Sequence, residues 1–321
     1  MTLRTPRIVV LLLLALSVVA RGQSAKGSVT PPAGFPAIGE PPRVTLIAAG
    51  AEPRKALRLV VSSSHRSHMD IEMTVEVATN VGGLALPPAE PPAVRIGADL
   101  TVTNVSPAGD VTYTIAFTGA GLADAGAGAA DPAFSATLAS VSAGLKSIRG
   151  TATVTNRGIN RDVRIDTSKV TTSTVSEAMD SVTTMMNGMS SPLPEEPVGV
   201  GARWEVRQAL RSGAVTAFQK VEFELVAFDG RTASLKVKTD QSGPPQPIKI
   251  PMMPPGASAN LESMTGTGSG TMSVPLDGLV PTSQADSMTK MVMSIADGGP
   301  PEKPQKMAVV TTIKLKIAPG K

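Results

Sequence analysis

The feature that most constrains the fold is an alternation of apolar and polar residues with a period of two. In residues 71–77 the odd positions are apolar and the even positions are Glu or Thr, and the pattern recurs in 111–117, 221–225, 234–238 and 313–317. Because successive side chains of a β-strand point to opposite faces, each stretch predicts a strand with one apolar and one polar face. Such strands are typical of antiparallel sheets with one wet face.

Turn motifs separate these stretches. Asp229-Gly230 lies between two alternating runs and predicts a hairpin. Similar signals occur at Pro107-Ala108-Gly109-Asp110, Arg211-Ser212-Gly213 and Leu276-Asp277-Gly278-Leu279.

Two segments show helical spacing instead. In 132–148 the apolar residues are Phe134, Leu138, Val141, Leu145 and Ile148. Asp131 is a suitable N-cap for this helix, and Pro132 follows it in the first turn. In 174–189 one face carries Val175, Met179, Val182, Met186 and Met189, after a capping box at Thr174-Val175-Ser176-Glu177.

Together these elements predict an α+β fold that is mostly β. We expect a curved antiparallel sheet, an open half-barrel, with the two helices packed on its apolar face. The alternative is a β-sandwich in two lobes, 43–170 and 192–321.

The N-terminus predicts export. Arg4 and Arg7 precede an apolar run, Ile8–Ala20, that is too short for an ordinary membrane span, and residues 1–22 are predicted as a cleavable signal peptide. Residues 23–42 contain five prolines and predict a linker. Residues 43–321 form the predicted β-rich domain, in the periplasm or outside the cell.

Composition excludes several functions. The chain has no cysteine, which removes thiol catalysis and cysteine metal sites, and aromatic residues make up only 2%. The net charge of +4 comes without a clustered basic face, so nucleic-acid binding has no support. No segment after the leader is apolar enough to span a bilayer, so the mature chain is expected to lack a transmembrane segment.

Methionine is the one unusual count, because twelve of the fifteen lie from Met179 onward. Methionine fills cores and also lines surfaces that bind varied apolar partners. The candidate ligand-binding residues are therefore Met179, Val182, Met186, Met189 and Trp204, although an anchoring role in the core is the favoured interpretation of Trp204. A cuprous thioether site at Met288, Met291 and Met293 is a third and weaker hypothesis.

The only histidines, His65 and His68, stand close to Asp70. The two histidines could be ligands of a metal site or catalytic residues of a hydrolase, but the favoured interpretation is that they are polar residues on the surface. No nucleophile elbow, phosphate loop or calcium loop is present, so no catalytic residue, metal ligand or cofactor is assigned.

Residues 192–240 resemble an uncharacterised family of secreted bacterial proteins. The motifs that carry the resemblance are Pro192-Leu193-Pro194, Pro197-Val198-Gly199-Val200-Gly201, Trp204, the Asp229-Gly230 hairpin with Ala233, Leu235 and Val237, and the run Gly266–Gly270 before Asp277-Gly278. The resemblance implies an exported domain without an assigned activity. The predicted layout is also similar to bacterial lipoprotein carriers, whose half-barrel holds acyl chains, but fold alone does not carry function.

The sequence thus favours a non-enzymatic exported protein that binds a lipid or another apolar ligand in a groove between sheet and helices. Two alternatives stay open. One is a structural envelope module that acts through a protein partner, and the other is a metal-dependent hydrolase that uses His65 and His68.

Overall fold

The structure is a computed structural model that describes residues 29–123, 131–166, 191–212, 215–248, 257–296 and 304–320. Within these ranges the chain forms fourteen β-strands and one α-helix. The helix is α1 (Pro132–Lys146). The strands are β1 (Arg43–Ala48), β2 (Arg66–Val81), β3 (Leu84–Ala85), β4 (Val94–Val105), β5 (Val111–Leu122), β6 (Arg149–Val154), β7 (Asn160–Asp166), β8 (Arg203–Ser212), β9 (Val215–Phe228), β10 (Thr232–Gly243), β11 (Gln246–Ile248), β12 (Ser258–Pro275), β13 (Thr282–Ala296) and β14 (Gln305–Pro319).

All fourteen strands belong to one open antiparallel sheet, which confirms the predicted mostly β, antiparallel class. The order along the sheet is β1-β8-β9-β10-β12-β13-β14-β2-β4-β5-β6-β7, while β3 pairs with β2 and β11 pairs with β12. Strand β1 pairs with β8, and β14 pairs with β2. Strands from 43–170 and from 192–321 therefore share this single sheet.

The five alternating stretches all lie inside strands, namely β2, β5, β9, β10 and β14. The Asp229-Gly230 turn joins β9 to β10, as predicted, and the Asp229 carboxylate accepts hydrogen bonds from the backbone N–H groups of Arg231 and Thr232. These two bonds lower the pKa of Asp229.

One large apolar cluster, here the main core, joins both ends of the sheet. It contains Ile115 and Ala152 from β5 and β6, and Trp204 and Leu225 from β8 and β9. Because these strands are far apart in the strand order, the sheet curls around its apolar face. The glycine-rich run of the sequence lies in β12, where a Cβ at Gly270 would collide with the backbone carbonyl of Gln284. Glycine is thus required where the inner face is crowded.

A second, smaller cluster lies on other parts of the long strands. Its buried members include Val77, Leu261, Met293 and Val309. Between the two clusters, a row of polar and small residues crosses six neighbouring strands, and its members are Gln208, Gln219, Gln241, Gly266, Thr289 and Thr311.

Helix α1 begins as its sequence predicts. The Asp131 carboxylate accepts a hydrogen bond from the backbone of Ala133, with Pro132 in the first turn. Phe134 and Leu145 are buried, and Leu145 joins the main core beside β5. The second predicted helix, 174–189, lies outside the described residues, as does the predicted signal peptide. Among the residues described, no helix has the length and apolarity needed to cross a membrane.

The described part of the predicted linker contacts the sheet. The ring of Phe35 meets Phe218 of β9 edge-on, with centroids 5.4 Å apart. The Arg207 guanidinium lies 5.6 Å from the Phe35 ring centre and donates a hydrogen bond to the carbonyl of Ala33. This contact covers Phe218, which is only 2% exposed.

Candidate ligand cavity

A cavity of about 80 Å³ lies in the main core. We call it the Tyr113 cavity. The described residues that line it are Leu59, Met69, Leu100, Tyr113, Ile115, Phe117, Val154, Gly158, Asn160, Ser191, Val274, Pro275, Gly278, Leu279 and Pro281. None of these described residues carries an ionisable acid or base other than the tyrosine hydroxyl. The cavity is therefore an apolar space with three polar side chains.

The first wall follows from the alternation in β5. Its odd residues face the core, so Tyr113, Ile115 and Phe117 are all buried and stand in a row along one strand. Leu100 of β4 lies directly opposite Ile115 in the antiparallel register. Met69 of β2 lies one strand further and is also buried. Three adjacent strands thus supply a continuous apolar surface.

The facing wall comes from the end of β12 and its connection to β13, with Val274 and Leu279 pointing to the cavity. The segment before β2 closes the space between the walls and contributes Leu59. The Leu59 N–H donates to the carbonyl of Asn156 at 2.8 Å, and the Val60 N–H donates to the carbonyl of Leu276 at 2.6 Å. These two bonds tie the segment to the β6–β7 turn and to the β12–β13 connection.

The polar side chains of the cavity differ in their pairing. The Ser191 hydroxyl lies 3.1 Å from the sulfur of Met272 as a hydrogen-bond donor, and Asn160 also has a partner. The Tyr113 hydroxyl makes no hydrogen bond with any residue that the structure describes. The residue is only 7% exposed, and burial raises the pKa of Tyr113 to about 12. At neutral pH it is a neutral hydroxyl on an apolar wall, without a partner in the part of the chain that the structure describes.

Trp204, a predicted ligand residue, does not line this cavity. Its side chain is fully buried, its indole N–H donates to the carbonyl of Pro192 at 2.9 Å, and its ring stacks on Phe223 with centroids 5.5 Å apart. The structure thus places it as an anchor of the core. The other predicted ligand residues, Met179, Val182, Met186 and Met189, lie outside the described residues.

The two histidines do not come together with acids as a metal site. The Nδ1 atom of His68 lies 2.6 Å from the Asp99 carboxylate, and its Nε2 atom lies 3.7 Å from Asp70 on the other side of the ring. The two carboxylates therefore cannot share one ion with the same ring nitrogen. Across the described residues, no group of three His, Asp or Glu side chains is placed to hold a metal.

The late methionines divide between the two faces of the sheet. Met291 and Met293 pack against the second cluster, whereas Met288 points the other way and is 52% exposed. The predicted trio is therefore split, because strand alternation puts residue 288 on the face opposite to residues 291 and 293.

Sequence reasoning recognised Tyr113 only as a member of an alternating strand. Its inward position was visible in the pattern of 111–117. What the pattern does not contain is the identity of the facing segments, because Leu59 and Val274 reach the cavity from distant parts of the chain.

Comparison with known proteins gives no family. No family model matches the sequence, and no curated protein matches it. Among solved structures, the crystal structure of Pseudomonas aeruginosa OpdQ is similar at a TM-score of 0.23 and 7% identity, over 81% of this chain and 98% of that chain. A likeness at this level gives no information about function.

Proposed function

We propose that this protein is a non-enzymatic exported protein that binds an apolar ligand in the Tyr113 cavity. The observation that carries the proposal is the cavity itself, a mostly apolar space that is partly open to the surface and is lined by buried residues of the main core. Protein cores contain few voids larger than a water molecule, and each void forfeits packing contacts along its lining. A ligand that fills the space would restore those contacts.

The size of the cavity limits what it accepts. A water molecule needs about 10–15 Å³ of cavity volume, so a cavity of about 80 Å³ holds about five to eight groups of that size. That volume fits a short branched chain, a small ring or the end of a longer acyl chain. A longer ligand would extend past the partly exposed Leu279 and Pro281 at the margin of the cavity. In this proposal the curled sheet acts as an open half-barrel whose interior receives the chain end.

The location in the proposal rests on the N-terminal sequence, which predicts cleavage and release into the periplasm or beyond. A ligand of this class would be a lipid or a small apolar compound met in that compartment. Action through an envelope protein without a bound ligand is the competing function, and the experiment below separates the two.

The experiment measures thermal unfolding of the mature protein by circular dichroism with and without isohexane. A ligand that binds only the folded state raises the midpoint of unfolding. We expect isohexane to raise the midpoint of the wild type and of Leu315→Trp, and to have no effect on Leu279→Trp. Leu279 and Leu315 are both partly buried leucines that pack on the main core, but only Leu279 lines the cavity. An unchanged wild-type midpoint, or an equal rise in both variants, would contradict the proposal.

A further inference from the structure

The Tyr113 hydroxyl has a specific place in the cavity. The residue is only 7% exposed, and its hydroxyl has no hydrogen-bond partner among the described residues. Among the described residues, the fully buried side-chain atoms without a partner are Nε2 of His65 and Oγ of Ser67, so the Tyr113 hydroxyl keeps some accessible surface and can meet water or a ligand. Ligand sites are mostly apolar with a few placed polar groups that fix the orientation of the ligand, and the Tyr113 hydroxyl is an available donor of this kind on an apolar wall.

The charge around the cavity limits the ligand further. No described lining residue is Lys, Arg or His, so a carboxylate would lose its water without gaining a cation. None of the described lining residues is Asp or Glu either, so an ammonium group is equally disfavoured. The ligand group that enters is therefore neutral.

We infer that the cavity selects a short, neutral, apolar group bearing one hydrogen-bond acceptor oxygen, such as a ketone or an ester carbonyl, which accepts a hydrogen bond from the Tyr113 hydroxyl. This inference rests on the proposed function, since it names the ligand class of the same cavity. The high pKa of Tyr113 agrees with it, because the hydroxyl keeps its proton and acts as a donor over the whole physiological range.

Because Tyr113 is the only tyrosine of the chain, one labelled residue reports on the site. The protein is prepared with ¹³C-tyrosine, and the ring signal is followed by NMR during titration with three probes of similar size. Methyl propyl ketone carries the acceptor, isohexane has nearly the same shape without it, and valerate carries a charge. We expect binding of the ketone with an affinity on the order of millimolar, weaker binding of isohexane and none of valerate.

The second experiment uses the variant Tyr113→Phe. Its affinity for the ketone is measured by competition with isohexane. Because the variant lacks one hydrogen bond, its affinity for the ketone should be about fivefold lower, whereas its affinity for isohexane should be unchanged. Equal affinity for ketone and isohexane in the wild type, or equal ketone affinity in wild type and Tyr113→Phe, would overturn the inference while the cavity remains a ligand site. Absence of binding by all three probes would overturn both the inference and the proposed function.

Discussion

Trp204 and Tyr113 are the only tryptophan and the only tyrosine of the chain, and both lie in the main core. Around Trp204 the core is complete, because the indole N–H reaches the carbonyl of Pro192 and the ring stacks on Phe223. Around Tyr113 the core is open, because the ring borders a cavity and the hydroxyl has no described partner. One core thus contains a closed region and an incomplete one. In the function proposed above, the first region serves stability and the second serves binding.

The largest effect is expected at the closed region. Trp204→Leu removes a fully buried ring and leaves the carbonyl of Pro192 without its donor, so the free energy of unfolding should fall by about 3 kcal/mol. Urea unfolding followed by circular dichroism measures the change. Val226→Ala, at a residue of β9 that is 37% exposed, should stay within about 0.5 kcal/mol of the wild type. A loss below about 1 kcal/mol in Trp204→Leu would show that the Trp204 region is not closed.

A smaller loss in the free energy of unfolding should appear in alkaline solution, and it comes from Tyr113 in the open region. The pKa of Tyr113 is about 12 in the folded protein against an ordinary value of 10.0. Between these pH values the unfolded chain releases the proton first, so the free energy of unfolding falls as pH rises, by about 1.4 kcal/mol per pH unit. Below pH 10 both states are neutral, and Tyr113 contributes no dependence on pH.

Two measurements check this pH dependence. Tyrosinate absorbance should titrate with a midpoint near pH 12 in the folded protein, and the single tyrosine makes the signal unambiguous. The second measurement compares the free energy of unfolding of the wild type and of Tyr113→Phe at each pH. Any alkaline loss of stability from other groups is common to both proteins, so the difference between them reports Tyr113 alone. A midpoint near 10 in folded protein would mean that water already solvates the hydroxyl.

The smallest effect is expected from Tyr113→Phe at neutral pH without ligand. Because the hydroxyl lacks a described partner, its removal should leave the free energy of unfolding unchanged or raise it by up to about 1 kcal/mol. Urea unfolding at neutral pH measures this. A decrease of more than about 1 kcal/mol would reveal a partner for the hydroxyl and remove the contrast with Trp204.

Local patterns predicted much of the fold because their causes are local. The alternation in 111–117 follows from strand geometry, and the Asp229-Gly230 turn is held by bonds within four residues. Helix α1 likewise carries its own cap at Asp131. Each of these features needs no knowledge of the rest of the chain.

The pairing of distant strands was beyond such reasoning. Nothing local indicates that β1 pairs with β8 or that β14 pairs with β2, because many strands of similar pattern compete for each position. The cavity depends on this pairing, since Leu59, Tyr113 and Val274 meet only after the sheet has curled. The split between Met288 and Met291 has a local cause instead, because their odd separation along β13 puts them on opposite faces of the sheet.

Native mass spectrometry of the mature protein, purified from an exporting host and followed by solvent extraction, tests the central claim most directly. The account predicts that wild type and Leu315→Trp carry a neutral apolar compound that the solvent releases, and that Leu279→Trp, whose cavity is filled, carries none. A clean unliganded mass for the wild type, or the same compound on all three proteins, would contradict the account and favour a function through protein partners.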